Sequence, residues 1–196
     1  MKYLVLMLAS LTVLSSCGPK AFVRGEYEDA NETNLMTDKW SESDMQRVVD
    51  KLVKDMVDTE VIRRAKLMPI IMVTKLENKT SEHIDTQSIM DMVKVEIMSS
   101  KKAKFIDKEA RDDIADEYNY QNSGMVSKET LKGPGGQTGA DLILNGRLDS
   151  ITQQVGKDKT VYYKVTFILT NLRTGVMEWS GQDQIRKRFL KQRVGF

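Results

Sequence analysis

Apolar and polar positions become regularly periodic near Trp40, after a short apolar start and a long polar stretch. From Met45 to Val57 apolar residues recur at alternating steps of three and four, which is the spacing of one face of an amphipathic helix. Ser41 stands at the predicted N-cap and Asp44 three residues later, a near capping box with Asp in place of Glu. The pattern therefore predicts a first helix that packs on another element.

A strand, a helix and a second strand are predicted next. The nearly continuous apolar run from Leu67 to Leu76 predicts a strand that is buried on both faces. Asp85 or Thr86 caps a second helix, and Lys104 to Ile106 is a short strand. Such a β-α-β unit predicts a parallel pair of strands with a right-handed crossover.

A third helix is predicted from Asp107 to about Tyr120. One side of it holds Ala110, Ile114, Ala115 and Tyr118, and the opposite, acidic side is expected to be solvated. The segment that begins at Ser127 starts like a helix, but the Gly-Pro-Gly-Gly run at 133–136 interrupts it, so we expect a short or broken element. No Lys-Ser or Lys-Thr closes this run, as a phosphate-binding loop would require.

The last third of the chain alternates with a period of two, which is typical of strands. Three strands are predicted, over 141–151, 160–172 and 176–182, and turns at 156–159 and 173–175 make them an antiparallel meander. In the middle strand the inward residues are Val161, Tyr163, Val165, Phe167 and Leu169, and Tyr162, Lys164, Thr166 and Thr170 face away. The predicted fold class is α/β (α+β): a single domain with a mixed sheet of four to five strands, this meander at its C-terminal end, and three to four helices.

The first seventeen residues have the form of an export signal. Lys2 precedes a mostly apolar segment from Tyr3 to Leu14, which is shorter than the roughly 20 residues that span a bilayer. Leu14-Ser15-Ser16-Cys17 resembles the lipobox of bacterial lipoproteins, whose cysteine is linked to diacylglycerol and becomes the first mature residue. Gly18 rather than Asp after the cysteine favours the outer membrane, by similarity to enterobacterial sorting. The alternative is a plain signal peptide with an incidental cysteine.

Residues between Cys17 and Trp40 lack sustained apolar periodicity and are rich in Glu, Asp and Asn, which is typical of a tether. The predicted organisation is a signal peptide over 1–16, a lipidated N-terminus and flexible tether over 17–39, a globular domain over 40–188 and a basic tail over 189–196. Arg186, Lys187, Arg188, Lys191 and Arg193 are assigned to the basic segment beyond the last strand.

Composition narrows the classes of function. The 30 Lys and Arg residues nearly balance the 28 Asp and Glu residues, so no strong field would recruit nucleic acid. The chain has one Cys, which excludes an internal disulfide and a thiolate metal cluster. It has one His, His83, which argues against a His-based metal site or catalytic triad. We therefore predict no catalytic residues, no metal and no cofactor, and a protein that acts by binding.

The polar face of the meander is the candidate binding surface. Its residues on adjacent strands are Asn145, Arg147, Asp149, Tyr162 and Lys164. Arg and Tyr are favoured anchors because they combine a large contact area with directional hydrogen bonds. The alternative is a solvated or helix-covered face with ordinary cross-strand charge pairs.

Four features together resemble the LpoB family of lipoprotein activators of penicillin-binding proteins. They are the lipobox at Cys17, the Asp-Lys-Trp-Ser-Glu-Ser-Asp run at 38–44, the Leu-Glu-Asn-Lys-Thr run at 76–80, and the hairpin at 169–181. The resemblance implies a non-catalytic lipoprotein on the periplasmic face of the outer membrane. It also implies that the globular domain docks on a bifunctional class A penicillin-binding protein and activates it by favouring its active conformation. A structural part of a secretion or surface-organelle complex is the alternative, and the oligomeric state stays open.

Overall fold

The computed structural model describes residues 27–30, 32, 33, 35 and 37–191, so the predicted signal peptide, Cys17 and residues 192–196 lie outside the described residues. The chain divides into two units. In the first, which ends at Glu32, the Glu32 N–H donates to the Asp29 carbonyl at 3.1 Å. The second begins at Thr33 and holds every described helix and strand. In the described part of the chain no helix is both long and apolar enough to span a membrane.

Within the described residues the second unit contains a five-stranded mixed sheet and four α-helices. The elements are α1 (Glu42–Val57), α2 (Glu60–Arg63), β1 (Ile70–Lys79), α3 (Thr86–Ser100), β2 (Lys104–Ile106), α4 (Arg111–Tyr120), β3 (Leu142–Val155), β4 (Asp158–Asn171) and β5 (Met177–Leu190). The strand order is β2-β1-β3-β4-β5. Strand β1 pairs in parallel with β2 and β3, and β3, β4 and β5 are antiparallel. The predicted fold class, the parallel pair and the meander are confirmed.

Helices α1 and α3 contact each other and cover one face of the sheet, with α1 over β5 and α3 over β1. The start of α1 is the predicted capping box, since the Ser41 N–H donates to Asp44 Oδ2 at 2.9 Å. Asp85 caps α3 by accepting from the N–H groups of Gln87 and Ser88. The predicted inward residues of the middle strand are all buried in the core under these helices, namely Val161, Tyr163, Val165, Phe167 and Leu169.

The first strand lies three residues later than predicted. Strand β1 starts at Ile70, whereas Leu67 and Met68 precede it and are exposed. It continues to Lys79 because its polar end goes on pairing with β3, where Lys79 lies opposite Asp149. Burial alternates along β1 rather than covering both faces: Ile71 is buried and Met72 is half-buried, so the prediction of two buried faces was wrong.

The strands of the meander are longer than predicted. Strands β3 and β4 leave only residues 156 and 157 between them, and Gly156 takes the positive φ of 59° that this tight turn requires. Strand β5 ends at Leu190 rather than at Gln182. Arg186, Lys187 and Arg188 therefore lie in the strand and not in a basic tail, and Lys187 is buried. The prediction failed because charged side chains on both faces of β5 hide its apolar alternation.

The third predicted helix is present as α4, but it begins at Arg111 and buries no residue. Asp107 caps the turn before it, since its side chain accepts from the N–H groups of Glu109 and Ala110. Ile114 and Tyr118 of the apolar side are half-buried and Ala115 is exposed, so this side is only partly covered. A π-helical turn over Gln121–Met125 continues α4. The segment from Ser127 onward forms turns instead of a helix, as its Gly-Pro-Gly-Gly run predicted.

Candidate docking surface

The outward residues of β3, β4 and β5 form a polar face opposite α1 and α3, which we call the open face. It consists of Asn145, Arg147, Asp149, Ile151, Tyr162, Lys164, Thr166, Gln182, Gln184 and Arg186. The strand register places Lys164 between Asp149 and Gln184, and Tyr162 between Ile151 and Arg186. All five residues predicted from the sequence lie here together.

Charge pairs run along and across the strands of the open face. Arg147 Nε lies 3.0 Å from Asp149 Oδ1, and Lys164 Nζ lies 3.7 Å from Asp149 Oδ2. The Arg186 guanidinium carbon lies 6.0 Å from the centre of the Tyr162 ring. One carboxylate thus stands between two cations, and a partner would meet an accessible surface with a positive excess. Ion pairs in contact with water contribute little to stability, so these side chains can change partners at small cost.

The neighbouring strands contribute residues that the sequence reasoning missed. Gln184 and Arg186 extend the rows of Lys164 and Tyr162 onto β5. On the other side, Glu77 and Lys79 of β1 lie beside Arg147 and Asp149 of β3. The sequence did contain a pattern that indicates Gln184 and Arg186, because polar residues continue at every second position of β5 beyond Gln182.

On the covered face of the sheet a second set of charges lies between α1 and β5, with three of its four side chains buried. We call it the charged layer: Asp44, Lys51, Asp183 and Lys187. Lys187 Nζ lies 2.5 Å from Asp44 Oδ2, and Lys51 Nζ lies 2.5 Å from Asp183 Oδ1. Asp44, Asp183 and Lys187 are 7%, 3% and 3% exposed. The layer joins the first helix to the last strand by charge rather than by apolar contact.

The segment over 37–41, which leads into α1, is bound to the end of the sheet where β3 turns into β4. The Asp38 carboxylate pairs with Lys159, which holds the pKa of Asp38 below its usual value through a hydrogen bond. The Lys39 carbonyl accepts from Lys187 Nζ at 2.6 Å. Asp38 and Lys39 were assigned to the tether from the sequence, but side chains of the folded domain hold them. The fixed part of the chain therefore begins before Trp40.

Glu82 is the centre of that attachment. Its carboxylate accepts from the Trp40 N–H at 3.0 Å and from the Tyr163 hydroxyl. The Trp40 and Tyr163 rings meet edge to face, with centres 5.4 Å apart. Burial, followed by the hydrogen bond to Glu82, raises the pKa of the Tyr163 phenol, since both disfavour the phenolate. The loop between β1 and α3 thus supplies a structural acceptor.

A surface cavity of about 720 Å³ lies between the starts of α1 and α3, and His83 is on its wall with Trp40, Glu82 and Ile89. On this wall the Glu82 oxygens accept from the Trp40 N–H and the Tyr163 hydroxyl. Across the described ranges no group of three or more His, Cys, Asp or Glu side chains is placed to hold a metal ion.

A model of the family described as peptidoglycan-synthase activator LpoB matches residues 44–185. The match runs from the start of α1 into β5 and covers most of the chain. The description of this family names a regulatory class of protein, the activators of peptidoglycan synthases. The chain belongs to the LpoB family.

Solved structures of the same family resemble the chain at low identity. The LpoB C-terminal domain from Salmonella enterica is 13% identical with a TM-score of 0.47, over 74% of this chain and 99% of that chain. The LpoB C-terminal domain from Escherichia coli is 13% identical with a TM-score of 0.46, over 72% of this chain and 98% of that chain. A search of curated proteins found no match.

Proposed function

We propose that this chain is an outer-membrane lipoprotein that binds a bifunctional class A penicillin-binding protein and activates its synthesis of peptidoglycan. The observation that carries the proposal is the family match over residues 44–185, which spans nearly all of the sheet and both covering helices. A binding protein activates an enzyme when it binds the active conformation more tightly than the inactive one. A tenfold shift in that equilibrium takes about 1.4 kcal/mol of differential affinity.

The proposed anchor is Cys17, with residues 1–16 as the signal peptide and 18–36 as the tether, since 37–39 belong to the segment bound to the sheet. A tether of that length reaches at most about 70 Å when fully extended. More than one acyl chain is needed for stable anchoring, and lipoprotein cysteines carry several. Cys17→Ser is expected to leave an unprocessed precursor without lipid. Mass spectrometry of the native protein checks this, and a native protein without an acylated peptide that begins at position 17 contradicts the anchor.

We propose that the open face of this chain is the surface that docks on the synthase partner. Arg147 is 53% exposed in its side chain, and Lys164 is 31% exposed, so both can reach a partner without unfolding of the domain. Tyr162 adds a flat aromatic surface with Arg186 beside it. These are the residue types that supply most of the binding free energy at protein interfaces.

Reconstitution tests the proposal. A purified class A penicillin-binding protein is assayed for glycan polymerisation and crosslinking with and without the full chain. We expect both rates to rise and to saturate with the concentration of the chain. Unchanged rates at saturating concentration contradict the function. Assembly of the chain into rings, without an effect on the synthase, would support the structural alternative instead.

A further inference from the structure

Strand β5 forms one edge of the sheet, and among the described residues it pairs only with β4. The pairing continues without a register shift from Leu190 opposite Asp158 to Trp179 opposite Leu169. Edges that avoid further pairing are commonly short, bulged, interrupted by proline or lined with charged side chains. This edge is long, and β5 contains no proline. Its remaining protection is the charge of its side chains, which determines what kind of strand could pair with it.

The backbone groups that face outward can be assigned from one hydrogen bond. The Lys191 N–H donates to the Lys157 carbonyl at 2.9 Å, so the backbone of Lys191 faces β4. In an antiparallel pair, alternate residues face the partner strand and the residues between them face away. The N–H and C=O groups of Gln182, Gln184, Arg186 and Arg188 therefore face away from β4.

Positive side chains border this edge on both sides of the sheet. On the open face Arg186 lies at the edge beside Tyr162. Arg188 follows two residues later, but its charge is balanced by an ion pair with Asp158 of β4 at 3.0 Å. On the covered face Arg47 and Lys51 reach from α1 to Asp183 of β5, at 3.8 Å and 2.5 Å, and their side chains remain 63% and 51% exposed. The single Asp183 carboxylate balances only one of these two cations. The flanks of the edge are thus basic on both faces.

Basic flanks select among the strands that could pair here. A second copy would bring its own arginines against these, and like charges opposite each other destabilise strand pairing. An extended segment that carries carboxylates would instead meet a cation on each face.

We propose that the edge of β5 binds an extended acidic segment of a partner polypeptide as an additional strand of the sheet. Backbone hydrogen bonds to Gln182, Gln184 and Arg186 supply the affinity, and the flanking Arg and Lys side chains select for acidic sequence. The site uses the edge backbone of Gln182, Gln184 and Arg186, whose side chains border the open face, and it does not require that the partner be a synthase.

A synthetic peptide tests the proposal on the full chain. The probe is a capped ten-residue peptide in which glutamate alternates with valine, and its matched control has lysine in place of each glutamate. Amide hydrogen exchange is followed by NMR. With the glutamate peptide we expect exchange to slow at least threefold at Gln182, Gln184 and Arg186. Exchange at Asp183 and Ile185, whose N–H groups face β4, is expected to stay unchanged.

Two variants separate the backbone from the charge. Gln184→Pro removes an N–H that faces outward, so it spares the pairing with β4. We expect it to lower the affinity for the glutamate peptide at least fivefold relative to Gln184→Ala. Arg186→Glu leaves the backbone hydrogen-bonding groups unchanged and is expected to lower the affinity for the glutamate peptide by a similar factor. This second variant preserves the test if Gln184→Pro does not fold.

Three outcomes overturn the proposal: equal binding of both peptides, absence of binding, and binding without slowed exchange at the edge amides. If amide exchange at Gln182, Gln184 and Arg186 slows as the protein concentration rises, without any peptide, a second copy of the chain occupies the edge. That result would also overturn the proposal.

Discussion

The two faces of the sheet carry the same chemistry in different surroundings. On the covered face the charged layer pairs Lys187 with Asp44 and Lys51 with Asp183, with three of the four side chains almost fully buried. On the open face Arg147 and Lys164 flank Asp149 in contact with water. A charge that has lost its water depends on its partner, whereas an exposed charge does not. The comparison separates charges that hold the fold from charges available to a partner.

The largest expected effect follows from breaking the charged layer. Lys187→Met leaves the Asp44 carboxylate buried without its cation, and removal of one member of such a pair costs about 3–5 kcal/mol. We expect that loss in the free energy of unfolding, measured by urea denaturation. Lys164→Met on the open face is the matched control, with an expected loss below about 1 kcal/mol. Equal losses in the two variants would remove the distinction between the faces.

A smaller effect is expected where the covered face meets the edge of the sheet. The Trp179 indole lies over Gly181, where an added Cβ would come within 2.2 Å of the ring. Trp179 is half-buried, so Trp179→Ala is expected to cost about 2 kcal/mol, less than for a fully buried Trp. Gly181→Ala is expected to cost about 1–3 kcal/mol, because it displaces the indole.

A double variant checks the contact between these two residues. Trp179→Ala with Gly181→Ala should be no less stable than Trp179→Ala alone, because the clash disappears with the ring. Additive losses in thermal or urea unfolding would show that the glycine is required for another reason.

A pH-dependent effect is expected at Tyr163. Its pKa is raised in the folded protein, by burial and by the hydrogen bond to Glu82, above the value of about 10 in an unfolded chain. The corresponding stability is fully present below about pH 10 and is lost as the pH rises further, by at most about 1.4 kcal/mol per pH unit. Urea unfolding between about pH 9 and pH 11 should therefore show a steeper decline for the natural chain than for Tyr163→Phe. Parallel curves would contradict the raised pKa.

Periodicity predicted most of this fold because most elements bury one apolar stripe. The inward residues of β4 and the caps of α1 and α3 follow from neighbours in sequence. The end of β5 could not be found that way, since Asp183 and Lys187 face the core and are neutralised by Lys51 and Asp44, more than a hundred residues earlier.

The candidate site shows the same limit. Alternation along two strands brought Arg147, Asp149, Tyr162 and Lys164 to one face. Gln184, which lies opposite Lys164, could not be added to this face because it belongs to β5, the strand whose length was underestimated. The role of Glu82 was also hidden, because its partners Trp40 and Tyr163 come from distant parts of the chain.

The smallest expected effect on stability comes from the open face. Arg147→Glu with Lys164→Glu is expected to change the free energy of unfolding by about 1 kcal/mol or less, because both side chains are in contact with water. The matched control, Arg63→Glu with Lys66→Glu, makes the same change in net charge at exposed positions outside that face.

Stimulation of a class A penicillin-binding protein by these two variants, at equal concentration and with confirmed folding, is the most direct test of the account. We predict that Arg147→Glu with Lys164→Glu lowers the stimulation at least tenfold, and that the control variant stimulates like the natural chain. Full stimulation by the folded open-face variant would contradict the assignment of this face as the docking surface.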